Sequence, residues 1–472
     1  MKSIQNSHPM CSSPASAMCG LAPDGSQTAC RTGYPFARSI VVGAGLALVA
    51  MAGFGAAIDK AVPITIVVNQ SPWYKSFERL VQAYEKESGN KVNFDVNPMP
   101  ATQEKQRNSL RAAKGDYDLM PINSQILDEL YRSGLLEPID AIDPSFKLSS
   151  HIPTFSDTAC WDATRKSYDC KSGKLMGVPI MGNVQLLYYR KDLYDAKGLK
   201  VPTTVADLTK NAAALNSKDI AGIQQQDARG APDISWGFMP FLHGWGGKLY
   251  KDAAGGDFTV TLNSPQTLAA LEWFIDTNKK YGSGTPGTTG QGKLIQLLTT
   301  GKVAQGVVVV AAWAQMDDPA KSIVASKIDF APVPAGPVKA STTLGHFIGA
   351  IPKNIPDDRK KAAMTFLKWF QSTEAQKTYI ESGGVPVDTE VLKEYSPKDA
   401  KYRWASALAT SYGHTDNFMP AEGGAVVPIM DLRLNQAVIG ELKPKEALNL
   451  AAKEMADALK AKGYKTGYTE LK

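Results

Sequence analysis

GVVVVAAWAQ, residues 306–315, is an apolar run that passes through four valines and two alanines before it reaches a tryptophan. A fully apolar run of this length, flanked by small residues, predicts a strand that is buried on both faces in a parallel sheet. Trp313 would then stand at the carboxyl end of that strand. Ligands of open α/β sheets bind at this edge, so Trp313 is either a platform for a ligand or a plug for the core.

Strands and helices alternate on the N-terminal side of this run. The segment PITIVVN reads as a first strand, and the helix SFERLVQAYEKES follows it and stops at Gly89. KVNFDVN alternates apolar and polar residues as a second strand, YDLMPI is the third, and Ser124 begins the helix SQILDELYR. This order predicts a parallel sheet with helices on its faces.

A second α/β series occupies the rest of the chain. Its clearest helix is SPQTLAALEWFIDTNKKYG, with Ser264 as the N-terminal cap and Gly282 after the last turn. HFIGAIPKN begins another strand near residue 345, and the carboxyl end is helical. Because single cores stop growing at about 250 to 300 residues, the 472 residues predict two α/β lobes.

The first sixty residues predict export. Residues 39–58 carry no charge, Arg31 and Arg38 precede them, and small residues follow the apolar centre, which is typical of a secretory signal peptide. The alternative is an uncleaved membrane span, since about 20 apolar residues can cross a bilayer. The formal net charge of +6 is too small for this length to indicate a nucleic-acid partner.

Two cysteines remain downstream of the predicted signal peptide, in CWDATRKSYDC. A close pair in an exported protein predicts a disulfide between Cys160 and Cys170 that closes a surface loop. A metal site would need more ligands than this loop supplies.

Sequence motifs for catalysis are weak or missing. Gly282, Gly284 and Gly287 match G-x-G-x-x-G, but a helix precedes them where a nucleotide site needs a strand, so a flexible surface loop is the better interpretation. Neither H-E-x-x-H nor G-x-S-x-G occurs, and the five histidines are scattered. We therefore predict no catalytic residue, no metal and no cofactor.

Aromatic residues form the stronger signal. Trp73 and Tyr74 follow the first strand, Trp236 and Trp245 lie in SWGFMPFLHGWGGKLY, and Trp313 ends the opening run. Flat rings that pack on the C–H faces of a sugar suit a neutral, hydroxyl-rich ligand. The alternative for each of them is a buried tryptophan that fills space.

The order of segments resembles the family 1 extracellular solute-binding proteins, the periplasmic receptors of ABC importers related to maltose-binding protein. The resemblance covers about residues 64–459. It rests on LVQAYEKESGNKVNF, YDLMPINSQILDELYRSGLLEPID, GVPIMGNVQLLYYRKDLY, LLTTGKVAQGVVVVAAW, LGHFIGAIPKN, FLKWFQSTEAQKTYIESGGVPV and NQAVIGELKPKEALNLAAKEM. The resemblance implies two lobes joined by three crossing strands, which close on a ligand in the cleft between them.

The resemblance also implies which residues face the cleft. Trp313 matches the tryptophan that stacks on sugar in many relatives, which favours the platform over the plug. With the aromatic residues and the strand ends, the predicted ligand-binding residues are Trp73, Tyr74, Asn123, Ser124, Asn183, Gln185, Trp236, His243, Trp245, Trp313, Gly345, His346 and Glu422.

Two departures from the family pattern bear on the ligand. His346 stands where relatives often have a glycine, so it should narrow the cleft or add a hydrogen-bond donor. AEGGAVVP, residues 421–428, lacks the aromatic residues that maltose-type receptors place there, which argues against a long oligosaccharide. Glu422 either reaches ligand hydroxyls or simply begins a helix.

The sequence thus predicts an α/β, two-lobed periplasmic-binding-protein fold of class II type. Residues 1–61 are the signal peptide and mature N-terminus, 62–181 with 345–388 form lobe I, and 182–344 with 389–472 form lobe II. The predicted function is a monomeric periplasmic receptor that binds a sugar or polyol and delivers it to ABC permease subunits, without a nucleic-acid partner. The alternatives are a receptor for a polyamine or organic anion, and a secreted hydrolase or lyase that acts on carbohydrate.

Overall fold

The computed structural model describes residues 58–472 apart from residues 154, 156, 231, 232, 254 and 419. The apolar centre of the predicted signal peptide lies outside the described residues, as do Cys11, Cys19 and Cys30. Among the residues that are described, no helix combines the length and apolar character needed to cross a membrane.

The N-terminal part begins as a parallel α/β unit. Its elements are β1 (Ile64–Asn69), α1 (Tyr74–Ser88), β2 (Val92–Asn97), α2 (Met99–Arg111), β3 (Met120–Asn123), α3 (Ser124–Arg132), β4 (Leu136–Glu137), α4 (Ile139–Ile142), β5 (Cys160–Trp161), β6 (Lys174–Leu175) and β7 (Gly177–Met181). β1 and β2 pair in parallel along their whole lengths. α1 buries Phe77, Leu80, Val81 and Tyr84 on one face and ends at Gly89, whose φ of 69° suits glycine.

The middle of the chain supplies a second sheet and several helices. Its elements are β8 (Gln185–Arg190), α5 (Lys191–Ala196), α6 (Val205–Leu215), α7 (Ile234–Gly244), β9 (Tyr250–Asp252), β10 (Asp257–Val260), α8 (Pro265–Tyr281), α9 (Gln291–Thr299), β11 (Gln305–Val309), α10 (Trp313–Met316) and β12 (Ile328–Ala331). The Ser264 side chain caps α8 by accepting a hydrogen bond from the backbone of Thr267, as the sequence predicts.

The last part of the chain is mainly helical. Its elements are β13 (Thr342–Leu344), β14 (Phe347–Pro352), α11 (Asp357–Phe370), α12 (Thr373–Glu381), α13 (Thr389–Tyr395), α14 (Trp404–Tyr412), β15 (Thr415–Asn417), α15 (Gly423–Val438) and α16 (Pro444–Ala461). β14 pairs antiparallel with β3, β4 and β7. Phe77 of α1 contacts Phe366 and Phe370 of α11 and Tyr379 of α12, so this segment packs on the N-terminal unit.

The opening run differs from its prediction in two ways. Its strand, β11, pairs antiparallel with β8. β12 pairs antiparallel with β8 on the other side. The prediction of a parallel strand is wrong because burial of both faces gives the same apolar run in either direction. The strand also ends early, at Val309, and Val310–Ala312 form a 3-10 turn before α10 begins at Trp313.

Among the described residues, three clusters of buried apolar side chains form the core. One joins β3, α3 and β14, another joins α7, α8, α15 and α16, and the largest includes β1, β11 and α11. The residue boundaries of the two predicted lobes stay a prediction.

The predicted disulfide is present, with the sulfur atoms of Cys160 and Cys170 2.04 Å apart. It closes the hairpin formed by β5 and β6. Trp161 in this hairpin is buried and contacts Tyr131 and Tyr168, so the loop is fixed against α3.

Candidate ligand-binding site

A cavity of about 380 Å³ lies where β1, β2 and β3 end and where α7 and α9 begin. Ligands of α/β proteins bind at the carboxyl ends of strands, and this cavity has that position. Its volume is near the lower end of the range of about 300 to 1,000 Å³ that small-molecule pockets occupy. The site therefore has room for a small ligand.

Amide side chains dominate the polar part of the cavity wall. They are Asn69, Gln70, Asn123, Gln125, Asn183, Gln226 and Gln291. An amide both donates and accepts hydrogen bonds and carries no net charge. Such a wall suits a neutral ligand that also donates and accepts, as hydroxyl groups do.

Several buried polar atoms of this wall have no hydrogen-bond partner among the described residues. They include Asn69 Oδ1, Trp73 Nε1, Asn183 Oδ1 and Gln226 Oε1. Unpaired polar groups at a site commonly pair with water or with a bound group, so these four atoms are candidates to pair with a ligand.

The apolar part of the wall includes two indole rings. Trp73 lies beside Phe347, with ring centroids 5.2 Å apart, and Trp236 lies against Gly345. A Cβ atom at Gly345 would come within 2.4 Å of the Trp236 ring, so only glycine allows this approach. Gln185 is fully buried and donates from Nε2 to the backbone oxygen of Trp236 at 3.1 Å, which holds α7 in place.

Asp233 is the one carboxylate in the described wall of the cavity. Its Oδ1 accepts hydrogen bonds of 2.9 Å from Gln226 Nε2 and from the backbone nitrogen of Gln291. The carboxylate therefore fixes the first residue of α9 and one wall amide. Its charge is balanced in part by these donors.

Asp431 of α15 lies behind this wall. It is 3% exposed, and its Oδ1 accepts a 2.9 Å hydrogen bond from the backbone nitrogen of Ser235 in the first turn of α7. Burial disfavours the charged carboxylate and raises the pKa of Asp431 to about 7.

We expect Asp431 to make the stability of the protein depend on pH. The folded state keeps a proton that the unfolded chain releases near pH 4, so stability falls as pH rises from about 4 to about 7, by about 4 kcal/mol for this shift. Asp431→Asn keeps an acceptor for Ser235 and should remove this component. Urea titrations of both proteins at pH 4.5 and pH 8 measure it, and an equal loss of stability in both would contradict the prediction.

Five of the predicted site residues line the cavity together: Trp73, Asn123, Asn183, Trp236 and Gly345. The structure does not bring the other eight to the described wall. These are Tyr74, Ser124, Gln185, His243, Trp245, Trp313, His346 and Glu422.

Trp313 is the largest difference from the prediction. Its ring stacks on Trp404, with centroids 5.0 Å apart and planes at 26°, and its Nε1 donates to the backbone oxygen of Gly384 at 3.3 Å. Val309 and Ala311 line the cavity instead. The turn after β11 rotates the chain, so the tryptophan packs in the core as a plug rather than facing the cavity.

His346 and Ser124 do not line the cavity, although the residues on either side of each of them do. Gly345 and Phe347 line the cavity, and the side chain between them lies on the other side, where His346 Nε2 is 2.6 Å from Thr158 Oγ1. Burial lowers the pKa of His346 to about 3, so the ring is neutral. The expectation that His346 narrows the cleft or donates to a ligand does not fit this position.

The remaining predicted residues lie farther along their elements. Trp245 follows α7 and packs on Trp273 at 5.2 Å. His243 is partly buried near Asp416, and desolvation lowers its pKa. Glu422 lies at a second cavity near the C-terminal tail. Tyr74 lines a third cavity, which shares Gln70, Ser71, Pro72 and Ala311 with the first.

Sequence reasoning missed Gln125, Gln226, Asp233 and Gln291. Gln291 lies in the Gly-rich stretch of residues 282–293, for which we predict a flexible surface loop, and that interpretation is wrong near its end, where α9 begins. Thr289 is 3% exposed there, and its backbone nitrogen donates to Asp227 Oδ1 at 2.9 Å. Asn69 and Gln70 could have been predicted, because Asn69 ends a predicted strand and Gln70 follows it.

Solved structures share this fold. The maltose-bound MalE3 of T. maritima superposes with a TM-score of 0.73 at 21% identity, covering 84% of this chain and 100% of that chain. An ABC transporter solute binding protein from Agrobacterium radiobacter in complex with ribitol gives a TM-score of 0.69 at 20% identity, covering 84% and 99%. The fold and the cavity define a two-lobed α/β binding protein, which confirms the predicted fold class.

The family follows from the sequence comparison. The family model described as bacterial extracellular solute-binding protein matches residues 68–377, and the chain belongs to this family. The mannitol-binding protein of Pseudomonas aeruginosa is 24% identical over 378 residues, which is 74% of this chain and 82% of that protein. The resemblance drawn from the sequence motifs is confirmed.

Proposed function

We propose that this chain is the solute-binding protein of an ABC importer, that it binds a sugar or polyol in the 380 Å³ cavity, and that it delivers the ligand to permease subunits. The observation that carries the proposal is that the described residues of the wall include seven amide side chains and two indole rings but one carboxylate. Mannitol, ribitol and maltose in the names of similar proteins agree with this chemistry.

The same wall argues against a polyamine or an organic anion as the ligand. A polyamine needs several carboxylates, and Asp233 is the one acidic residue of the described wall and already accepts two hydrogen bonds. An organic anion needs a cationic partner, and neither lysine nor arginine occurs in the wall as described. A neutral ligand therefore fits best.

We further propose that the protein releases its ligand without changing it chemically. Most glycoside hydrolases need two carboxyl groups on either side of the scissile bond, whereas Asp233 stands without a second acidic residue in the described wall. The family and its structural neighbours are binding proteins. We propose in addition that the protein is a periplasmic monomer, exported by its signal peptide, that does not bind nucleic acid.

A thermal-shift screen tests the ligand class. The purified protein is heated with mannitol, ribitol, erythritol, tagatose, maltose, maltotriose or spermidine. A ligand at about 100 times its dissociation constant should add about 2.7 kcal/mol of stability, which raises the melting temperature. We expect this for a sugar or polyol and not for spermidine.

Calorimetry and product analysis complete the test. Titration of the strongest ligand should give one site per chain, and chromatography after overnight incubation should recover that ligand intact. A shift with spermidine alone, or the appearance of cleavage products, would reject the proposed function in favour of one of its alternatives.

A further inference from the structure

The chain that follows α16 is held on β10. Backbone nitrogens of Phe258 and Val260 donate to the oxygens of Lys465 at 2.9 Å and Gly467 at 2.7 Å. The ring of Tyr464 meets the ring of Phe258 edge-on, with centroids 4.8 Å apart. The backbone and ring of Tyr464 are therefore fixed on this side of the molecule.

The other end of the Tyr464 side chain reaches α3. Its hydroxyl oxygen lies 3.2 Å from Asp128 Oδ2 and 3.2 Å from Glu422 Oε1. The Arg132 guanidinium lies 5.4 Å from the centre of the ring, and Arg132 Nε donates to Asp128 Oδ2 at 2.7 Å. We call these four residues the clasp. Burial raises the pKa of Tyr464, so its hydroxyl keeps its proton and donates.

The first turn of α15 touches α2 and α3 beside the clasp. A Cβ atom at Gly423 would lie 1.9 Å from the backbone oxygen of Gln125, and one at Gly424 would lie 2.6 Å from Arg107 Nη2. Gly423 thus allows a backbone contact that any larger residue would block, whereas a larger residue at Gly424 would require the Arg107 side chain to shift. Glu422 turns the chain into this contact with a φ of 50°.

The contact joins two separate cores at the edge of the ligand cavity. The apolar residues of α3 belong to the cluster with β3 and β14, whereas Tyr464 and α15 pack in the cluster with α7 and α16. Gln125, which Gly423 touches, lines the cavity. In the predicted division of the chain, the clasp connects lobe I to lobe II through α3, the helix whose Gln125 lines the cavity.

We propose that the clasp holds the two lobes closed over the ligand and that Tyr464 acts as a positioning residue for ligand retention. The role of the clasp in ligand retention rests on the proposed function, whereas its role in closing the lobes does not. Contacts that form in the closed state and break in the open state shift the equilibrium toward closure by their own free energy. A charge-assisted hydrogen bond and a guanidinium over a ring are contacts of this kind.

Small-angle X-ray scattering of the dialysed protein tests closure without any ligand. We expect Tyr464→Ala to have a larger radius of gyration than the wild type. Tyr464→Phe keeps the ring on Arg132 and Phe258 and loses only the hydroxyl, so its value should lie between the two. Scattering curves of wild type and Tyr464→Ala that superimpose would overturn the proposal.

Tyr468→Ala is the matched control. Tyr468 belongs to the same tail and pairs with β10 through Val260, but it is 37% exposed. Its replacement tests whether disturbance of the tail alone opens the molecule. We expect the wild-type radius of gyration, and an opening equal to that of Tyr464→Ala would overturn the role of the clasp.

Stopped-flow dissociation of the strongest ligand from the thermal-shift screen provides the second measurement. Closure mainly controls release, so Tyr464→Ala should release ligand about tenfold faster with a nearly unchanged association rate. An unchanged release rate would overturn ligand retention by the clasp. If every screened sugar and polyol fails to bind, the proposed function fails, and the scattering experiment still decides whether the clasp closes the lobes.

Discussion

Trp236→Ala is expected to weaken the binding of the sugar or polyol by about 2 to 4 kcal/mol, or about 30- to 1,000-fold in affinity. The indole lines the cavity and is 6% exposed, and truncation of a well-packed aromatic residue that is shielded from water has the largest effects on binding. Loss of the ring removes the flat contact for C–H groups and leaves a void that water can enter. Isothermal titration calorimetry with the strongest ligand of the screen measures the change.

Trp245→Ala is the control for this prediction. Trp245 follows the same helix, is partly buried, and packs on Trp273 rather than on the cavity. Its loss should leave ligand affinity nearly unchanged. Because Trp236 also contacts Phe418 at 6.0 Å, circular dichroism must show that both variants are folded. A folded Trp236→Ala protein with wild-type affinity would contradict the placement of the ligand in this cavity.

The strand ends could be predicted from the sequence because a simple rule applies to them. Parallel strands bring their carboxyl ends to one edge, and Trp73 and Asn123 follow or end two predicted strands. Both line the cavity. Asn183 comes from the family resemblance and also lines it, since the segment between β7 and β8 passes beside the cavity.

Side-chain direction was the part that the sequence did not determine. Neighbouring residues in extended chain point to opposite sides, so Gly345 and His346 cannot both face the cavity, and the sequence does not say which one does. For Trp313 the sequence did not show where the strand ends. A strand that ends at Val309 and continues as a 3-10 turn rotates the tryptophan into the core.

The polar residues that sequence reasoning missed come from connections rather than strands. Asp233 and Gln291 meet because a loop and a helix start, more than fifty positions apart, share a hydrogen bond of 2.9 Å. No local pattern marks such a pair, since each residue alone looks like an ordinary helix start. Long-range pairing of this kind needs the folded structure.

Trp313→Ala is expected to lower the free energy of unfolding by about 3 to 5 kcal/mol, the usual cost of removing a buried aromatic ring. The ring is 5% exposed and stacks on Trp404, which is fully buried. Its loss creates a cavity beside a second, fully buried indole. Urea titration followed by far-ultraviolet circular dichroism measures the change without depending on tryptophan fluorescence.

Ligand affinity separates the two roles that the opening run allowed for Trp313. A plug supports the fold and contributes no surface to the cavity, so Trp313→Ala should change the binding free energy by less than about 1 kcal/mol at a temperature where the variant is folded. Trp313→Phe, which keeps an apolar ring against Trp404, should recover most of the lost stability. If Trp313→Ala instead keeps wild-type stability and loses its ligand, the indole is a platform after all, and the ligand must contact a surface outside the 380 Å³ cavity.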